Sequence, residues 1–215
     1  MSDPFAKEKL YEVLDFFSRN VKHAGKVKLF KLLYYLDLMV LRRTGKTVTG
    51  LRYEAWPMGP VPASLDQEFH DPNSELRKRF DVKEHQKIES EFLVYLDTDE
   101  EQLETYQHSV HFVPSSVRSR TLYKHRFLTR REQGIANLIA EVFYEAKASE
   151  MSDISHNKFG PWQKAIRRAK KEGLDRPEVN LMEGVVAVGN EAEELPLEEL
   201  KELAEDRERL RQALC

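Results

Sequence analysis

The chain has 215 residues, of which 40% are hydrophobic and 33% charged, and its formal net charge is −3. This length and composition fit one globular domain with a substantial core, or one domain plus an appendage, and the charge excludes a whole-molecule field of the strength that draws in nucleic acid or a membrane surface. The only cysteine is Cys215, which excludes an intramolecular disulfide and a cysteine-built zinc site.

Leu10, Val13, Leu14, Phe17 and Val21 recur at helical spacing and predict a first helix over Pro4–Asn20. His23-Ala24-Gly25 breaks it. A second helix is predicted from Lys26 to Thr44, with Gly45 suited to its C-terminal cap. Its residues are apolar on two sides, so it should sit at the centre of the domain. Its apolar run is broken by Asp37 and ends at Arg42-Arg43, too short and too charged to span a bilayer. Lys46–Met58 reads as extended or looped, and Pro62 can open a short helix over Val61–Phe69. Pro72 stops that helix.

Between Phe80 and Val117, alternation around Phe92–Leu96 and again at Val110 and Phe112 predicts a small antiparallel sheet. Asp97–Gln107 reads as its acidic connection. Thr129-Arg130-Arg131-Glu132 is a capping box, and Ile135, Leu138, Ile139, Val142, Phe143 and Ala146 continue it as one helical stripe. A short segment, Met151–His156, precedes a helix opened by Gly160-Pro161-Trp162. Beyond Gly173 the character changes. Val185–Val188 fits either a strand or a helical turn. Pro196 opens an acidic amphipathic tail in which Leu197, Leu200, Leu203 and Leu210 share one side. The expected fold is mainly α (α+β): a compact helical domain around a buried central helix, with a small antiparallel β element and a C-terminal helical tail. The expected division is residues 1–173 and 174–215.

Chemistry-bearing patterns are sparse. His108 and His111 lie three apart, but on a strand they would face opposite ways and no third ligand is near. No nucleophile elbow, phosphate-binding loop or dinucleotide fingerprint occurs. No residue set points to a catalytic centre, a cofactor or a metal. Asp37 is the one acid in the central helix and needs a buried partner, for which Arg52 is the candidate. His156 belongs to a turn, where satisfying backbone groups outweighs a general-base role. Two basic clusters stand out, Arg118 to Arg131 and Lys164 to Lys171. With the helices from Thr129 to Lys171 they imitate a helix-turn-helix, although Pro161-Trp162 is poor base-reading chemistry for a recognition helix. The start, Met1–Phe5, lacks a basic stretch and apolar run, so a cytoplasmic setting is expected.

Three separated motifs carry a resemblance. They are Lys28-Leu29-Phe30-Lys31-Leu32-Leu33-Tyr34-Tyr35, then Tyr53-Glu54-Ala55-Trp56-Pro57-Met58-Gly59-Pro60-Val61, then Met151-Ser152-Asp153-Ile154-Ser155-His156 followed by Pro161-Trp162. Together they resemble the Panacea (SocA-like or GepA-like) domain, which is best known from bacterial antitoxins. The resemblance implies a mostly helical, non-enzymatic domain that neutralises a toxin protein by binding it. It also implies a toxin gene next door, often on a prophage or other mobile element. Tyr34, Tyr35, Tyr53, Trp56, Gly59, Pro60, Val61, His156 and Trp162 carry over as motif positions, either scaffold or partner contact. The alternatives are a DNA-binding regulator of its own operon and an adaptor that delivers the toxin to a protease.

Overall fold

A computed structural model describes residues 4–86, 92–94, 104–106, 112–120, 126–156 and 160–186. The acidic tail and the His108/His111 pair lie outside them. The chain runs through α1 (Ala6–Asn20), α2 (Lys26–Thr44), β1 (Tyr53–Trp56), β2 (Gly59–Val61), α3 (Ala63–His70) and α4 (Glu75–Arg79). It continues through β3 (Phe80–Gln86), β4 (Phe92–Val94), β5 (Glu104–Tyr106), β6 (Phe112–Ser119), α5 (Arg130–Val142), α6 (Ala148–Ser155), α7 (Pro161–Glu172), β7 (Glu178–Val179) and α8 (Glu183–Val186). The fold is mainly α with small antiparallel β elements, as the sequence predicts.

Everything is arranged around α2. Each of its residues from Lys28 to Leu41 is buried, and it touches α1, α5, α6, α8, β2 and β6. Leu29, Leu32, Leu33 and Leu36 are fully buried, each contributing about 1.5–3 kcal/mol relative to exposure. Such burial offsets the cost of placing Lys28, Lys31 and Asp37 in the same helix. The helix ends where Gly45 takes a left-handed conformation, φ 72°.

α1 and α5 flank it and are tied to each other. Lys9 Nζ donates to Glu132 Oε1 at 2.7 Å. Glu132 also completes the predicted capping box, its Oε2 accepting from the Thr129 amide at 2.6 Å. Thus one carboxylate both starts α5 and pins it to α1.

Several predicted bounds shift for local reasons. Val61 belongs to β2 and Pro62 is the residue before α3, so that helix starts two residues late. α4 is an addition: the Ser74 hydroxyl accepts from the Arg77 amide at 3.1 Å and opens one short turn. The segment Asp97–Gln107 is not all connection, because β5 lies within it and pairs antiparallel with β4. β3 pairs with β6, and the register slips between Lys83 and Glu84, opposite Ser116 and Pro114 respectively. A proline lacks the N–H that a regular ladder needs, and a bulge accommodates it.

The chain beyond Gly173 returns to the domain. β7 adds to β1 as a third strand, in the order β2-β1-β7, with Tyr53 opposite Val179. The first part of Val185–Val188 falls in the helical turn α8. A Cβ built on Gly184 would meet Pro161 Cγ at 2.7 Å and Leu38 Cδ1 at 2.9 Å, so only glycine lets α8 approach α2 and α7 this closely. The Gly184 carbonyl accepts from Arg42 Nε at 3.0 Å.

Candidate functional site

The motif residues converge on the α2 face that meets the β1–β2 hairpin and the start of α7. Pro57 and Met58 form the hairpin turn, with Trp56 opposite Gly59. Pro57 presets the backbone for the first turn position. Gly59 then supplies the positive φ of 106° that a side chain would oppose. The Lys31 ammonium donates to the Met58 carbonyl at the turn. Lys28 acts in the same way one turn earlier, donating to the carbonyls of Lys22 at 2.6 Å and Tyr144 at 3.2 Å. Both lysines are almost fully buried and hold loop backbone in place of a helix or sheet ladder.

Asp37 is the second anchor. Its Oδ1 accepts from the amides of Val48 at 2.8 Å and Thr49 at 2.9 Å. Its Oδ2 accepts from the Thr49 hydroxyl and from the Tyr53 hydroxyl, the latter at 2.8 Å. The expected ion pair with Arg52 does not form, since Arg52 is exposed and four neutral donors satisfy the carboxylate. Burial raises the Asp37 carboxyl above its ordinary pKa, while the Thr49, Tyr53 and Val48 donors pull it back. Burial and the Asp37 charge push the Tyr53 hydroxyl well up, which keeps it a donor.

Aromatic rings fill the space between these anchors. Tyr34 meets Tyr35 and Tyr53 edge-on, each with ring centroids 5.5 Å apart. Burial raises the Tyr34 hydroxyl, and Arg42 and the Trp162 backbone amide oppose that rise. Tyr35 stacks on Phe143 at 5.3 Å and donates to the Met151 carbonyl at 3.2 Å. Trp162 is buried, and its Nε1 donates to the Trp56 carbonyl at 3.0 Å. The His156 ring stacks on Trp162 at 4.0 Å with planes 16° apart. Burial, then the Lys31 charge, lowers the His156 pKa from 6.5 to about 4, so the ring is neutral near pH 7. Its Nε2 is buried and makes no hydrogen bond. A side chain satisfying the backbone was expected there, and stacking takes its place. Pro60 is buried and Val61 half-buried beside the turn.

Trp56 differs from the others. It is half-buried, its Nε1 donates to Glu54 Oε2 at 2.9 Å, and the Arg176 guanidinium lies 4.4 Å over its ring. Arg176 holds a positive φ of 48°, a left-handed conformation uncommon for a side chain of this size. The arrangement therefore has an inner part that fixes a turn and an outer part, Trp56 with Arg176, at the surface.

The chain matches the family described as antitoxin SocA-like, Panacea domain, over residues 29–163, well over half its length. It belongs to that family. No curated protein and no solved structure matches the chain. The Panacea match opens inside α2 and closes in the first turn of α7, so it takes in all nine motif positions. β7 and α8, which complete the sheet and cover α2, lie beyond it. An antitoxin role in general follows from membership.

Sequence reasoning missed the work of Lys28 and Lys31. The available signal was their position: both lysines lie in the otherwise apolar stretch Val27–Leu36 of a helix whose pattern predicts burial. Arg176 carried no signal, since its place over Trp56 depends on β7. Among the described residues, no three His, Cys, Asp or Glu side chains gather as a metal-ion set, and no helix is long and apolar enough to cross a membrane.

Proposed function

We propose that this chain is a cytoplasmic antitoxin that neutralises one cognate toxin, encoded by an adjacent gene, by binding it directly. The observation that carries this reading is the family match over residues 29–163. The internal chemistry of the motif supports it. Asp37, Lys31, Lys28 and Tyr53 face protein donors and acceptors inside the fold, which makes the motif a rigid platform for surface loops. On this reading Tyr34, Tyr35, Tyr53, Gly59, Pro60, His156 and Trp162 are scaffold, and Trp56 is the motif residue placed to touch a partner. A tryptophan and an arginine at the surface are the residue types that dominate protein–protein affinity.

The DNA-binding alternative is weakened by α7. A recognition helix reads bases with its N-terminal residues, but Pro161, Trp162 and Gln163 are buried at that end. Co-expression with the neighbouring gene tests the proposal. Toxicity of the neighbour alone, rescued together with this chain and accompanied by a stable complex, is the expected result. A harmless neighbour, or rescue with no complex, overturns direct neutralisation.

A further inference from the structure

Several cations elsewhere in the described residues are paired, although Arg43, Arg52, Arg130 and Arg131 are exposed and form no ion pair among the described residues. Lys9 meets Glu132 at 2.7 Å, Lys22 meets Glu145 at 2.6 Å, Lys26 meets Asp66 at 2.6 Å and Arg79 meets Glu75 at 3.0 Å. The outer face of α7 gathers several cations on one helix. Lys164, Arg167, Arg168 and Lys171 stand at i, i+3, i+4 and i+7 and so form one row, with Lys170 beside it. Arg167, Lys170 and Lys171 are exposed, and among the described residues none of their side chains makes a hydrogen bond or an ion pair. Glu172 and Asp175 are the nearest acids along the chain, and neither pairs with the row.

The rest of the row shows what it binds. Lys164 Nζ donates to the Glu183 carbonyl at 2.9 Å. Arg168 donates to Glu183 Oε1 at 2.9 Å and to the Glu178 carbonyl at 2.8 Å. A carboxylate that arrives from the C-terminal side of the chain is thus already seated on this helix. α8 ends at Val186, three residues after Glu183. The sequence that follows carries eight carboxylates and a single lysine within residues 191–206.

We propose that residues 191–206 occupy the face made by Arg167, Lys170 and Lys171, so that the protein covers its own basic surface. Three things favour this occupant over an outside partner. The charges are complementary. The connection from Val186 to Glu191 is short enough to keep the segment within reach, at about 3.3–3.6 Å per residue. Attachment also gives the segment an effective concentration on the order of millimolar. An acidic partner approaching α7 would have to displace it. This inference is independent of the antitoxin reading.

Paramagnetic relaxation on the full chain tests it. Ala204→Cys in a Cys215→Ser background carries a nitroxide, and the amides of Arg167–Lys171 are read by NMR. Broadening of those amides is expected at low salt, falling at least about fivefold near 0.5 M salt, where the screening length is only a few ångström. It should vanish in the combined Arg167→Glu, Lys170→Glu, Lys171→Glu chain. Adding Glu198→Lys, Glu199→Lys and Glu202→Lys to that chain should restore it. The reversed α7 residues are exposed, so unchanged amide positions in α2 verify that the fold is intact. Absence of broadening at low salt, or broadening that ignores both sets of reversals, overturns the proposal. So does broadening of the same strength when the nitroxide and the isotope are on different molecules, since a second copy is then the occupant.

Discussion

The α2 hub and the α7 surface both carry charged groups, and they treat them in opposite ways. In the hub, Asp37, Lys28 and Lys31 are buried and each is met by backbone or hydroxyl groups at hydrogen-bond distance. On α7, the side chains of Arg167, Lys170 and Lys171 are exposed and meet no polar partner among the described residues. A charge in the first setting determines whether the fold exists, because removing its partner leaves orphaned polar groups in a dry interior. A charge in the second setting determines what the fold can meet. For an antitoxin-family protein this separates the residues that build the platform from those that shape its surface.

The sharpest break in the comparison comes from the hub itself. Leu33→Asp places an unpaired acid at a fully buried position and should abolish cooperative unfolding by costing more than about 4 kcal/mol. A normal melt by circular dichroism would refute the core assignment. Asp37→Ala strands two amides and two hydroxyls and should cost about 3–5 kcal/mol in urea titration. Asp37→Asn keeps an acceptor oxygen and should cost clearly less. Equal losses in the two variants would show that the carboxylate is not held as described.

A smaller effect is expected where the two regions join. Gly184→Ala drives a methyl into Pro161 and Leu38 and should cost about 1–3 kcal/mol. Its hydrogen exchange should accelerate over residues 178–186 before it does in α2. Acid pH addresses the hub more gently. The His156 pKa is lowered from 6.5 to about 4 by burial and then by Lys31, so the unfolded chain binds a proton in a range where the folded chain does not. This contribution is therefore complete above about pH 6.5 and is lost as pH falls toward about 4. His156→Phe should lose less stability than the parent between pH 7 and 4. The parent's His156 ring resonance should not titrate above about pH 5. At the other extreme, reversing Arg167, Lys170 and Lys171 to Glu should move the melt by no more than about 0.5 kcal/mol per site. A large loss there would erase the distinction between the regions.

The two regions also differed in what the sequence disclosed. α2 is legible because an apolar run on two faces has one physical solution, and α5 because Thr129 and Glu132 form a local cap with its own signature. The partners of Asp37 were not legible. Backbone amides of Val48 and Thr49 carry no residue code, and the nearby Arg52 invited an ion pair that the fold does not make. β7 escaped for another reason: a strand of two residues, Glu178–Val179, has no periodicity and exists because β1 offers an open edge. The nine motif positions were found through resemblance. Their convergence on the Met58 turn, through Lys31 and Trp162, required three-dimensional contacts.

The return of β7 to β1 bears on how the protein is made. β1 is synthesised well before β7, yet one of its edges is completed by Val179 opposite Tyr53 and by the Pro177 carbonyl, which accepts from the Ala55 amide at 2.9 Å. During translation that edge waits for more than half the chain, a contact of the long-range kind that slows folding. We predict that a ribosome-stalled chain ending at Glu172 is cleaved within β1 by brief proteolysis, whereas one whose residues through Val186 have cleared the exit tunnel resists. Equal cleavage of the two would show that β1 is secured without β7. Newly made protein would then become fully folded only once β7 has emerged, which sets a lag between synthesis of β1 and completion of the fold.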